Sequence, residues 1–263
     1  MPRVEEENSL QYKNFTLSKN FQAIFLAWII LGIFCYYNLF ISGFIVFLFV
    51  SAGWIISLCL HEFGHAYAAY YGGDHSVINK GYFTLDPLKY THPIFSLAVP
   101  MLFLLLGGIG LPGGAVYIDL KAIPDHKKRS LVSAAGPLMT LGVALLLIIP
   151  FWFISGTETL NVHHNFWAAL GLLAFLQVTA LILNLLPIPG LDGFKIIEPF
   201  VPESAMKKIH EKGGLVILIL MFLLFYDSPV NRGFWYLVGS IAHLAGLDIN
   251  LVFTGYDLFK FWN

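Results

Sequence analysis

The sequence has 263 residues, of which 57% are hydrophobic, 16% aromatic and only 12% charged, with a mean hydropathy of +0.73. A soluble domain carries about a quarter charged residues, so the chain reads as an all-α polytopic membrane protein, one domain over 1–263 without a sizeable soluble module. Its net charge of −1 offers no bulk attraction to nucleic acid. The two cysteines, Cys35 and Cys59, lie in apolar runs and read as buried hydrophobes, with no disulfide framework implied.

Residues 1–20 are polar and mixed in charge. No small-residue cleavage site precedes the first apolar run, so 21–37 is expected to be an uncleaved first span, with Asn38 as the turn. Residues 41 to about 71 predict a second, long helix. Gly72-Gly73-Asp74 ends it, glycine permitting a left-handed cap. Inside this helix His61-Glu62-Phe63-Gly64-His65 reads H-E-x-x-H. Residues four apart share a helix face, so both imidazoles can point at one metal ion. Neutral imidazole suits zinc, and Glu62 can act as the base that deprotonates a water the metal activates. Residues 41–60 contain no charge. A metal-ligand pair at the end of such a run places its chemistry within or beside the bilayer. Cys59, two residues before His61, points to another face and is a poor ligand.

Residues 74–92 are polar. Residues 94–118 are apolar but broken by Pro100, Gly107, Gly108, Gly110, Pro112, Gly113 and Gly114. One straight helix through that stretch is improbable, and a re-entrant or β-hairpin segment fits better. Non-helical backbone at membrane depth needs protein or a water-filled cavity to satisfy it. Its end, 113–118, can offer a strand edge to an extended peptide, or can be a plain surface hairpin. Residues 119–130 form a charged loop. Residues 131–154 are a third span, with Ala135-Gly136-Pro137 permitting close helix approach. After a polar loop, 166–186 form a fourth span carrying Gln177 and Asn184. It ends at Pro187-Ile188-Pro189-Gly190-Leu191-Asp192-Gly193, where the prolines break the helix and the glycines allow a tight turn around Asp192. Two shorter runs, 213–225 and 233–247, read as a helical hairpin, for about six transmembrane helices in all. No internal repeat is visible.

Lys and Arg placement orients the chain. With the N-terminus in the cytoplasm and 94–118 returning to the side it entered from, all of the 15 Lys and Arg except Arg232 fall inside. The H-E-x-x-H motif and Asp192 then lie near the cytoplasmic face.

A catalytic zinc takes three protein ligands and leaves a position open. Asp192, at matching depth, is the best third ligand. His163 and His164 fall on the far side, His243 lies in a late span, and His75, His126 and His210 are loop residues. His92 is a weak reserve. Peptide hydrolysis also needs a group to hold the developing oxyanion. Asn184, eight residues before Asp192, can serve there, or can hydrogen-bond between helices.

His61-Glu62-Phe63-Gly64-His65-Ala66, Ala135-Gly136-Pro137-Leu138 and Asn184-Leu185-Leu186-Pro187-Ile188-Pro189-Gly190-Leu191-Asp192-Gly193 together resemble the site-2 protease family of intramembrane zinc metalloproteases. The resemblance covers roughly 41–193. It implies one zinc ion bound by His61, His65 and Asp192, Glu62 as catalytic base, and Asn184 assisting the carbonyl. It further implies cleavage of single-pass transmembrane substrates in the lipid bilayer, often after a first cut by another protease, and a substrate-positioning role for the segment around Gly108 to Tyr117. In the family the segment after Ala-Gly-Pro-Leu often ends in Asn, whereas this chain has Thr140. No PDZ-like or nucleotide-sensing module fits in the length, so a compact member is expected, in a bacterial or archaeal plasma membrane. The alternatives are a non-proteolytic scaffold that keeps the fold, against which the intact His61, Glu62, His65 and Asp192 argue, and a zinc transporter. A transporter would want polar residues along several spans.

Overall fold

A computed structural model of the chain describes residues 16–39, 43–90, 102, 116–154 and 156–262. The first helix, α1 (Lys19–Tyr36), begins where Ser18 Oγ accepts the Phe21 N–H at 3.1 Å. Asn38, at φ 51°, turns the chain as expected. The second helix, α2 (Gly43–Gly72), has 30 residues and is about 45 Å long. It stops at Gly73, whose φ of 129° lets the N–H groups of Gly73 and Asp74 turn back onto the Ala69 carbonyl at 3.0 and 2.9 Å.

The polar stretch that follows is an ordered cap. It holds a short α3 (Ser76–Asn79) and a 3-10 turn, Tyr82–Thr84. Val77, Tyr82, Leu85 and Tyr90 bury themselves against Ile56, Cys59, Ala66 and Ala69 of α2. Tyr90 donates its hydroxyl to the Cys59 carbonyl at 3.0 Å. Most of the segment expected to be re-entrant, and His92 with it, lies outside the described residues. Residues 116–118 are described, and are in neither a helix nor a paired strand.

The next helix, α4 (His126–Ile154), starts before the apolar boundary at Leu131, so the basic residues 127–129 are helical and not loop. Asp125 makes this possible: its Oδ1 accepts the Lys127 N–H at 2.8 Å and caps an end whose basic residues oppose the helix dipole. After α5 (Glu158–Val162), α6 (His164–Asn184) runs through the middle of the protein, and leucine and alanine side chains are buried all along it. Then come α7 (Asp192–Ile197), α8 (Glu203–Phe225), α9 (Pro229–Leu244) and α10 (Ile249–Phe259). The last was not anticipated. Leu251, Val252, Gly255 and Phe259 form one buried stripe that seals α6. At 11 residues the helix is too short to read as a span.

Among the described residues, α1, α2, α4 and α6 are long and apolar enough to cross a membrane. The segments Glu211–Phe225 and Pro229–Leu244, bent by 76° where they meet, would make a fifth if they act as one broken span. The chain is thus an all-α protein with four or five candidate apolar spans.

Candidate metal centre

Helices α2 and α4 pack side by side, and small residues let them do so. A Cβ on Gly64 would stand 2.7 Å from the Ala135 carbonyl oxygen and 2.6 Å from Met139 Cγ. Val132, Gly136 and Thr140 fall at i, i+4 and i+8 on α4 and so form one stripe, and this stripe faces the H-E-x-x-H motif. His65 lies opposite Val132, with Nδ1 2.7 Å from its carbonyl oxygen. His61 lies opposite Thr140, with Nδ1 2.9 Å from Oγ1. Between them stands Gly136. A Cβ there would collide first with His65 Nε2, and would also lie 2.7 Å from His61 Nε2.

Asp192 arrives from the other direction. Beyond α6 the chain turns at Gly190, φ 100°, a left-handed position that suits glycine. Gly193 then packs on the end of α6, where a Cβ would lie 2.6 Å from the Leu186 carbonyl oxygen. The turn returns Asp192, as the first residue of α7, to the depth of the two imidazoles. Its Oδ2 is 3.1 Å from His61 Nε2 and 3.3 Å from His65 Nε2, and the two Nε2 atoms are 3.1 Å apart. Its Oδ1 is 3.2 Å from Lys195 Nζ.

All three side chains are buried and form the metal-capable cluster found among the described residues. The tautomers decide what the cluster can hold. A carbonyl oxygen only accepts, so His65 carries a proton on Nδ1, and Nε2 is the nitrogen left to offer its lone pair to a metal. Thr140 Oγ1 is also 3.3 Å from the Gly136 carbonyl; with the hydroxyl proton given to that carbonyl, Oγ1 accepts from His61 Nδ1–H, the tautomer that leaves Nε2 for a metal. Two imidazole lone pairs and a carboxylate oxygen therefore face one another. A single proton could bridge only one pair of them. Three ligand atoms of a tetrahedral zinc with bonds of about 2.0 Å stand about 3.3 Å apart, so the separations of 3.1, 3.3 and 3.1 Å fit the ion.

Glu62 is 2% exposed and hydrogen-bonds to neither imidazole. Its Oε2 accepts the Val116 N–H at 3.1 Å. Tyr117 and Asp119 are also held by side chains. Tyr117 N–H donates to Tyr82 Oη at 3.2 Å, Lys80 Nζ donates to the Tyr117 carbonyl at 2.8 Å, and Asp119 N–H donates to Asp74 Oδ2 at 2.7 Å. Burial works against the Asp74 carboxylate, but the bonds it accepts from the Ser76 hydroxyl, the Asp119 N–H and the Ser76 N–H keep its carboxyl below the ordinary value. Asn184 is buried at the last position of α6 and, among the described residues, makes no hydrogen bond to the three clustered side chains. Reasoning from sequence passed over Val132, Gly136 as a site residue, Thr140 as a partner of His61, and Lys195. The i, i+4, i+8 stripe and the i, i+3 spacing from Asp192 to Lys195 were the available signals.

Rip2 of Mycolicibacterium smegmatis, named as a candidate zinc metalloprotease, is 46% identical over 224 residues, 83% of this chain and 82% of that protein. Rip2 of Mycobacterium tuberculosis H37Rv, similarly named, is 45% identical over 222 residues, with the same coverage of both chains. YwhC of Bacillus subtilis, also named as a candidate zinc metalloprotease, is 29% identical over 181 residues, 64% of this chain and 77% of that protein. No family model and no solved structure matches the chain.

Proposed function

The chain belongs to the site-2 protease family of membrane zinc metalloproteases, and we propose from this that it hydrolyses peptide bonds in or near the transmembrane segments of other membrane proteins. One zinc ion is held by His61, His65 and Asp192. The observation that carries this reading is the convergence of both Nε2 atoms and Asp192 Oδ2 at 3.1 to 3.3 Å, with each Nδ1 within hydrogen-bond distance of an outward oxygen. Zinc, when bound there, supplies a Lewis acid that polarises a carbonyl and makes water acidic enough to attack at neutral pH. Glu62 accepts the proton of the attacking water and returns it to the leaving amine. Lys195 occupies Asp192 Oδ1 and leaves Oδ2 to the metal. Asn184 assists the substrate carbonyl.

The single-pass substrate lies extended beside 116–118. Side chains already hold one edge of that segment, and Val116 points its N–H at Glu62 on the other. The scaffold alternative is not favoured, because the relatives carry protease names. Metal analysis of purified protein tests the site. Wild type should hold one zinc per chain, and His65→Ala and Asp192→Ala should lose most of it, since affinity is built from all three ligands. Wild-type zinc content in both variants would sink the assignment.

The orientation follows from charge. The N-terminus, 119–130 and the metal centre face the cytoplasm of a bacterial or archaeal cell, residues 94–118 return to the side they entered from, and α8 and α9 complete a set of about six transmembrane helices around a single domain. Asn161 and Asp125 lie beyond opposite ends of α4. Both native cysteines are buried and should stay silent. An impermeant thiol reagent added outside should therefore label a cysteine placed at Asn161 and leave one at Asp125 unlabelled. The opposite pattern would overturn the topology together with the re-entrant segment.

A further inference from the structure

We propose that Thr140 is a positioning residue for the metal centre: its hydroxyl locks His61 in the tautomer and ring orientation that turn Nε2 toward the ion. The inference rests on the metalloprotease reading above. The two histidines are held by different means. His65 donates to a backbone carbonyl, Val132, which no side-chain change removes. His61 meets a side chain instead, its Nδ1 lying 2.9 Å from Thr140 Oγ1. Thr140 is 4% exposed, so no bulk water stands ready to replace it.

The hydroxyl is itself oriented. It lies 3.3 Å from the Gly136 carbonyl, one turn back on α4, a bond that threonine makes readily in a helix. Its branched Cβ restricts χ1, so the oxygen has few other places to go. The chain of donors runs from Nδ1 of His61 to Oγ1 and on to the Gly136 oxygen, each group giving one proton in the same direction. Without the hydroxyl the buried Nδ1–H has no acceptor. The ring can then turn over or carry its proton on Nε2, and either change removes the lone pair that faces His65 and Asp192. Outer partners of this kind fix ligand tautomers in zinc sites generally.

The test compares full-length wild type, Thr140→Val and Thr140→Ser in detergent. Zinc Kd is measured by competition with a chromophoric chelator, and melting is measured on the zinc-free proteins as a folding control. Valine matches the shape of threonine without the hydroxyl, and serine keeps the hydroxyl without the methyl. The expected result is a Kd raised about 10- to 100-fold by Thr140→Val and close to wild type in Thr140→Ser. A residue that only fills space gives the opposite order, since valine fills the site and serine does not. Zinc bound as tightly by Thr140→Val as by wild type, or as weakly by Thr140→Ser as by Thr140→Val, overturns the proposal. Should Thr140→Val fail to fold, Thr140→Ala against Thr140→Ser decides, because the pair differ only in the hydroxyl, and equal affinity there overturns it as well. A wild type that binds no zinc removes both this proposal and the metalloprotease reading. Normal zinc in wild type with no loss in Thr140→Val removes this proposal alone.

Discussion

Glu62→Gln should retain zinc and fold normally while cleaving a model transmembrane substrate about a hundred- to ten-thousand-fold more slowly, the range for loss of a general base. The structure explains why this substitution isolates the proton transfer. Glu62 lies one residue after His61 and three before His65 and hydrogen-bonds to neither imidazole, so the metal donors do not depend on it. Its recorded partner is the Val116 N–H, at 3.1 Å from Oε2. A glutamine carbonyl can accept that same N–H, so the tie to the 116–119 segment survives. What glutamine cannot do is take a proton from water. Metal analysis, melting and cleavage of one purified substrate check the three parts separately, and comparison of membrane-protein fragments in cells carrying wild type and Glu62→Gln would identify the substrates. Near-normal cleavage with zinc in place would end the general-base role. Loss of zinc along with cleavage would make Glu62 a ligand or a structural partner.

A single methyl group at Gly136 should be nearly as damaging, by a different route. The Cβ of an alanine there would run into His65 Nε2 and would lie 2.6 Å from His65 Cε1 and 2.7 Å from His61 Nε2. The imidazoles cannot swing aside without breaking the bonds to Val132 and Thr140. Nor can the helices separate freely. Moving apart would break the close packing of Gly64 of α2 on the Ala135 backbone. Overpacking of this kind typically costs about 1–3 kcal/mol of stability, and here the displaced atoms are the metal donors themselves. Gly136→Ala is expected to weaken zinc binding by at least about a hundredfold, the upper end for changes outside the ligand shell, and to abolish cleavage. Gly142→Ala on the same helix is the control. No atom lies within 4 Å of a Cβ at that position, and alanine favours helix over glycine by about 0.8–1.0 kcal/mol, so zinc and activity should be unchanged. Zinc affinity and cleavage measured on the two variants decide the matter. A Gly136→Ala protein that binds zinc and cleaves like wild type would mean that α2 and α4 are not packed as described.

How much of this could be read from residues alone follows from the range over which each force acts. The pairing of His61 with His65 was legible because both lie in one helix, where the backbone repeat alone places i and i+4 on one face. The long apolar runs were legible for the same local reason, and they became α1, α2, α4 and α6. Asp192 was approachable by matching depth. Its actual approach, 127 residues along the chain from His65, depends on a turn at Gly190 and on Gly193 seating against the end of α6. Helix α10 escaped because its stripe of four buried residues is too short to stand out from an apolar chain, and only burial against α6 gives it meaning. The polar residues 74–90 looked like loop because composition does not reveal that Tyr82 and Tyr90 are covered by α2 and bonded through their hydroxyls. The deepest gap concerns the partners of the metal donors. A helix repeat tells which residues share a face, but not which neighbouring helix that face meets. Val132 contributes a backbone carbonyl, which every residue type has, and so leaves no mark in the sequence. Thr140 looked like a departure from the expected amide until the packing of α4 on α2 brought its hydroxyl to His61, and Gly136 looked like a spacer until the same packing set it against both imidazoles.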